Sequence, residues 1–141
     1  MGGIVDNDEL SPTRALARLE VLVGEWIEQV TLPRVPPGRM VFEWALDGQY
    51  LLQRSEIPDP AFPDSIAIIA AKADGAGYTQ HYFDSRGVVR VYTMGFDGAR
   101  LTLLRNAPDF TPLDFSQRLA FDLTYTKAAQ PPGSARGPAM R

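Results

Sequence analysis

The sequence predicts a mainly β fold, an antiparallel up-and-down β-barrel of about eight strands with one short N-terminal helix. Two observations carry this expectation. After residue 24 the apolar pattern changes from helical to alternating, and turn residues recur every eight to twelve positions, which is the rhythm of a meander. The stretch 78–96, YTQHYFDSRGVVRVYTMGF, also places the turn Asp84-Ser85-Arg86-Gly87 between two strand-like runs.

The 141 residues suit one domain with one core. Hydrophobic residues make up 45% and charged residues 22%, ordinary values for a globular chain. A net charge of −3 leaves no basic footprint for nucleic acid and no polybasic patch for anionic lipid, so neither partner is expected. Cysteine is absent and histidine occurs once, which excludes disulfides, thiol nucleophiles, thiolate metal sites and a multi-histidine zinc site. The N-terminal MGGIVDNDEL lacks the pattern of a signal peptide, and no apolar run approaches the roughly 20 residues of a membrane span, so a cytoplasmic location is expected.

Residues 1–9 are expected to be flexible, 10–127 to form the domain, and 128–141, rich in Pro, Gly and Ala, to be a disordered tail. Ser11 is a helix N-cap and Pro12 suits the first helical position; Leu16, Leu19 and Val23 then recur at helical spacing, and Gly24 is a natural stop. Strands follow at 25–32 and 39–46, the second placing Met40, Phe42, Trp44 and Leu46 on one face. Asp47-Gly48 is a two-residue hairpin loop, which pairs Trp44 with Leu51, Phe42 with Gln53 and Met40 with Ser55, and sends Gln53 and Ser55 inward. The same register sets Arg39 opposite Glu56 and Glu43 diagonal to Arg54. The Pro-rich 58–64 is a loop able to cover a barrel mouth, and 65–73 is an apolar strand.

With Gly87 in a bulged turn, Tyr82 faces Arg90, His81 faces Val91 and Gln80 faces Tyr92. One face of this central hairpin carries Thr79, His81, Phe83, Val89, Val91 and Thr93; the other carries Gln80, Tyr82, Arg90, Tyr92 and Met94. Alternation alone leaves open which of them is inside. A second Asp-Gly loop at 97–98 brings Met94 to Leu101, Tyr92 to Leu103 and Arg90 to Arg105. Two opposed cations beside apolar neighbours call for an anionic ligand or a buried carboxylate between them. Residues 106–118 are turn-rich, and the alternation after Leu119 marks a closing strand ending at 127.

In order along the chain, LEVLVGEW (19–26), FEWALDGQYLLQRSE (42–56), HYFDSRGVVRVY (81–92), DFSQR (114–118) and DLTYTK (122–127) resemble the DUF1579 family of bacterial proteins of unknown function, related to the lipocalin-like, or calycin, barrels. HYFDSRG is the most specific stretch. The resemblance implies a lipocalin-like barrel that holds a small, largely apolar ligand, with Trp26 closing one end. Distant relatives of the nitrobindin type bind haem through a histidine, here His81, although their front motif is missing. The chain also departs from the family by about two strands between Arg118 and Leu119. The barrel is therefore smaller, open at a seam, or completed by a partner in a homodimer.

No motif amounts to a catalytic signature. Ser55, Ser85 and Ser116 have no base at a recognisable spacing, and turn chemistry accounts for Asp84. The expected function is binding of a small apolar molecule, one with an acidic group, without a cofactor. Trp44, Phe42 and Leu103 would wall the site and Arg90, Arg105, Tyr82, Tyr92 or His81 would orient the ligand. The alternatives are a barrel isomerase or cyclase in which His81 or Tyr82 moves a proton, and a haem or nitric oxide-binding protein.

Overall fold

The computed structural model of the chain describes residues 11–29, 33–110, 116–124 and 139–140. Residues 1–10 and 125–138 lie outside it, and with them the flexible N-terminus, the end of the closing strand and most of the tail. Helix α1 (Pro12–Arg18) opens as expected, with the Ser11 hydroxyl accepting the Arg14 N–H at 3.1 Å and Pro12 in the first turn. It then tightens into a 3-10 turn, Leu19–Leu22, with three residues per turn. The buried stripe is consequently Ala15, Leu19 and Leu22, whereas Val23, expected on that face, is 37% exposed.

Eight antiparallel strands follow in simple succession: β1 (Gly24–Glu28), β2 (Gly38–Ala45), β3 (Tyr50–Glu56), β4 (Ser65–Ala71), β5 (Tyr78–Asp84), β6 (Val89–Phe96), β7 (Arg100–Arg105) and β8 (Gln117–Thr124). The two-residue β9 (Ala139–Met140), drawn from the tail, pairs parallel with β1 and antiparallel with β8. It links the first and last strands of the meander into a closed ring of strand pairings.

The β2–β3 register is the one Asp47-Gly48 dictates, with Met40 opposite Ser55, Phe42 opposite Gln53 and Trp44 opposite Leu51. Leu46, Asp47 and Gly48 all have positive φ, 52°, 58° and 76°, so the turn takes in Leu46, which was expected on the inner face and is 74% exposed. Arg39 meets Glu56 at 3.8 Å and Arg54 meets Glu43 at 3.5 Å on the outer face. Gly38, at the start of β2, permits a close approach. A Cβ there would stand 2.6 Å from Ile57 Cγ1 and 2.7 Å from the Glu56 carbonyl oxygen.

The β5–β6 register also agrees, with Gly87 at φ 84° in the bulged turn. Between β6 and β7 the structure corrects the expectation by two residues: Met94 faces Leu103 and Phe96 faces Leu101. The Asp97 carboxylate accepts the backbone N–H groups of Ala99 and Arg100 at 2.9 and 2.7 Å, so Gly98 and Ala99 are the central residues of the turn. One further step along this ladder puts Arg105 beside Tyr92. The direct opposition of Arg90 and Arg105 does not occur.

The core is the barrel interior together with the inner side of α1. Trp26, Met40, Phe42, Leu51, Ile69, Tyr78, Tyr92, Met94, Leu101 and Leu103 form one buried cluster under Ala15, Leu19 and Leu22. Three bonds fix the helix as a plug: Tyr78 Oη to the Ala15 carbonyl at 2.6 Å, Trp44 Nε1 to Glu20 at 3.0 Å and Trp26 Nε1 to the Leu22 carbonyl at 2.7 Å. All lie at the end of the barrel where β2–β3, β4–β5 and β6–β7 turn. The opposite end, bounded by the loops that follow β1, β3, β5 and β7, is the mouth.

Candidate functional site

Near the mouth lies a cavity of about 100 Å³, lined by Glu28, Met40, Gln53, Ser55, Ser65, Ala67, Gln80, Tyr82, Tyr92, Leu103, Leu119 and Phe121. It has two kinds of wall. From β1, β3, β4 and β5 come hydrogen-bonding groups, and from β7 and β8 come Leu103, Leu119 and Phe121.

Strand periodicity explains the lining. Trp26 is 1% exposed, so Glu28, two residues on, shares the inner side of β1. Its Oε1 accepts the Ser55 hydroxyl at 2.7 Å. Burial pushes the Glu28 carboxyl above its ordinary 4.5, against the opposing effect of that hydrogen bond. Gln80, 2% exposed, donates from Nε2 to Gln53 Oε1 at 2.9 Å, and Gln53 Nε2 reaches the Met40 sulfur at 3.3 Å. Tyr82 and Tyr92 meet edge to face with centroids 6.2 Å apart. Tyr92 Oη donates to Gln117 at 3.3 Å. Tyr82 Oη donates to Asp84 at 2.8 Å, and burial followed by that carboxylate pushes the phenol strongly upward.

Asp84 is the keystone of the central turn. Burial acts to raise its pKa, yet bonds from the Arg86 guanidinium, the Tyr82 hydroxyl and the Arg86 and Val88 amides together hold it far below the carboxylate range. It stays ionised, and its occupied oxygens suit turn structure better than proton transfer.

The inner face of the central hairpin is thus Gln80, Tyr82, Arg90, Tyr92 and Met94. Among the residues expected at a site, Tyr82, Tyr92 and Leu103 line the cavity. Arg90 faces Tyr82 across the β5–β6 ladder at the mouth, and its buried Nε has no hydrogen-bond partner among the described residues. Arg105 is 4% exposed and binds Asp109 through two bonds, Nε to Oδ2 at 2.9 Å and Nη2 to Oδ1 at 3.0 Å. Asp109 Oδ2 also accepts the Val91 N–H at 2.8 Å. The anion that Arg105 calls for is this carboxylate from the chain's own 106–110 loop.

The remaining two expected residues stand elsewhere. Trp44 packs at the helix-plugged end, half-buried and bonded to Glu20. His81 lies on the outer face between Ile68 and Val91, beside the exposed Ile66 and Ile68. Glu28 and Asp109 were not among the expected site residues. Glu28 had a signal in its two-residue spacing from Trp26; Asp109, in an irregular loop, had none.

No group of three or more His, Cys, Asp or Glu side chains able to hold a metal ion occurs among the described residues. A tetrapyrrole does not fit either, because His81 lies on the outer face, away from a cavity of this size. No helix among the described residues is long and apolar enough to cross a membrane. In comparisons with known proteins, no family model, no curated protein and no solved structure matches the chain.

Proposed function

We propose that the barrel binds a compact, largely apolar molecule bearing an acidic group, with its apolar body against Met40, Tyr92, Leu103 and Phe121 and its acid at Arg90. The observation that carries this reading is the buried Arg90 Nε, without a hydrogen-bond partner among the described residues, on the residue that stands opposite the cavity-lining Tyr82. A buried donor left unmade costs about 1–3 kcal/mol, and a carboxylate satisfies a guanidinium in paired geometry. The resemblance to the DUF1579 barrels points the same way.

Size selects the ligand. A cavity of about 100 Å³ is well below the roughly 300–1,000 Å³ of pockets for drug-sized molecules, so a short-chain or single-ring acid suits it better than a long lipid. Calorimetric titration with pentanoate and with pentanol tests the assignment. The wild type is expected to prefer pentanoate, and Arg90→Gln to lose that preference while still accepting pentanol. Equal affinities of both probes for both proteins, or no binding of either, would overturn it.

A barrel isomerase is the second reading, favoured by one observation: Glu28, with a raised pKa, shares a cavity with two tyrosines. The Tyr82 hydroxyl is committed to Asp84, so proton transfer in this reading falls to Glu28.

A further inference from the structure

Glu28 places a second acid in the cavity assigned above to an acidic ligand. It is a cavity-lining carboxyl whose one hydrogen bond comes from the neutral Ser55, and no cation pairs with it among the described residues. The charged groups around it are turned away or committed. On its own strand Glu25 points outward to Arg39 at 2.7 Å; on β2, Arg39 is that partner; on β3, Arg54 and Glu56 lie on the outer face with Glu43 and Arg39. The titratable groups that share the cavity with it are Tyr82 and Tyr92. Arg90 belongs to β6, across the barrel from β1 in strand order.

We infer that Glu28 binds the ligand as a neutral carboxylic acid, taking up one proton on binding and donating it in a hydrogen bond to a second oxygen of the ligand, so that the preferred class is short oxo acids rather than simple fatty acids. This inference rests on the binding reading of the cavity. A ligand that fills the site removes the water that solvates Glu28 and brings a second carboxylate to the same barrel mouth; both effects favour the protonated form. Ser55 already donates to Oε1, so the new O–H lies on a carboxyl whose other neighbours include apolar walls. Left unpaired, such a donor costs roughly 5- to 150-fold in affinity, and a ligand carbonyl placed there recovers it. The step is balanced: a proton from solvent joins one Glu28 oxygen, and no covalent bond of the ligand changes.

Calorimetry in two buffers of different ionisation enthalpy, with pentanoate, 4-oxopentanoate and 5-oxohexanoate, separates the outcomes. At pH 8 the wild type is expected to take up a proton on binding and to bind at least one oxo acid about fivefold or more tighter than pentanoate. Glu28→Gln, which keeps a donor but cannot titrate, should retain the oxo preference without proton uptake, and Glu28→Met should lose both. If pentanoate binds but proton uptake is absent, or persists in Glu28→Gln, or the oxo acids gain nothing, the Glu28 assignment falls and the Arg90 site stands. If none of the acids binds the wild type, the underlying reading falls with it.

Discussion

Removing the Asp109 carboxylate tests how the mouth of the barrel is held. Arg105 and Asp109 are 4% and 6% exposed at the side chain and share two bonds, and Asp109 also caps the Val91 N–H. Breaking a buried pair from one side costs about 3–5 kcal/mol, because the remaining charge keeps its desolvation penalty without the compensating carboxylate. That is a large share of the roughly 5–15 kcal/mol that stabilises a typical domain. At about 3–4 °C per kcal/mol for a chain of this size, Asp109→Ala should lower Tm by about 10–20 °C. Urea unfolding followed by the fluorescence of buried Trp26 gives the free energy. The double variant Arg105→Met/Asp109→Asn keeps an acceptor for Val91 and buries no charge, and should lie within about 1–2 kcal/mol of wild type. A loss under about 1 kcal/mol in Asp109→Ala, or a double variant as unstable as the single one, would refute the reasoning.

Three other outcomes follow from the same geometry. Because burial raises the Glu28 pKa, its contribution to stability is fully present below the unfolded value of 4.5 and is lost as pH rises through the folded value. Glu28→Gln should therefore be more stable than wild type at pH 8, with the gap closing below pH 4.5; a gap that widens on acidification would contradict this. His81→Ala should leave pentanoate affinity within about twofold and stability within about 0.5 kcal/mol, by the same titration and urea assays, since the side chain lies on the outer face. Gly38→Ala should cost about 1–3 kcal/mol in urea unfolding, because its Cβ meets the Glu56 carbonyl as well as the yielding Ile57 side chain.

Local chemistry explains why some of the barrel was legible in the sequence and some was not. Asp47-Gly48 specified its register because both residues take positive φ at the centre of the loop. Asp97-Gly98 is the same dipeptide with a different result. There the Asp97 carboxylate caps the next amides, and Gly98 alone takes positive φ, at 96°. A dipeptide names the turn but not which residues occupy its centre, and here the difference moved Arg105 from Arg90 to the neighbourhood of Tyr92. The helix cap and plug were readable from Ser11 and Pro12, but the tightening that exchanged Val23 for Leu22 was not.

The central hairpin shows the limit of alternation. His81, Phe83, Val89 and Val91 look as suitable for an interior as Tyr82, Arg90, Tyr92 and Met94. The choice is made by neighbouring strands: Ile69 pairs with Gln80, Gln53 accepts from it, and Met94 packs against Leu103. Those partners are remote in sequence. The same holds for Asp109, which reaches back to Val91 and Arg105 from a loop with no periodic pattern.

In the proposed binding mode a compact acid enters the barrel at the mouth and lies against the inner face. Methyl-resolved NMR during pentanoate titration addresses it directly, because β4 carries methyl groups on both faces. Ala67, Met40 and Leu103 line the cavity, while Ile66 and Ile68 are 40% and 37% exposed outside. Saturable shifts are expected at Ala67, Met40 and Leu103, with Ile66 and Ile68 unmoved. Shifts confined to Ile66 and Ile68, or none at saturating pentanoate, would contradict it.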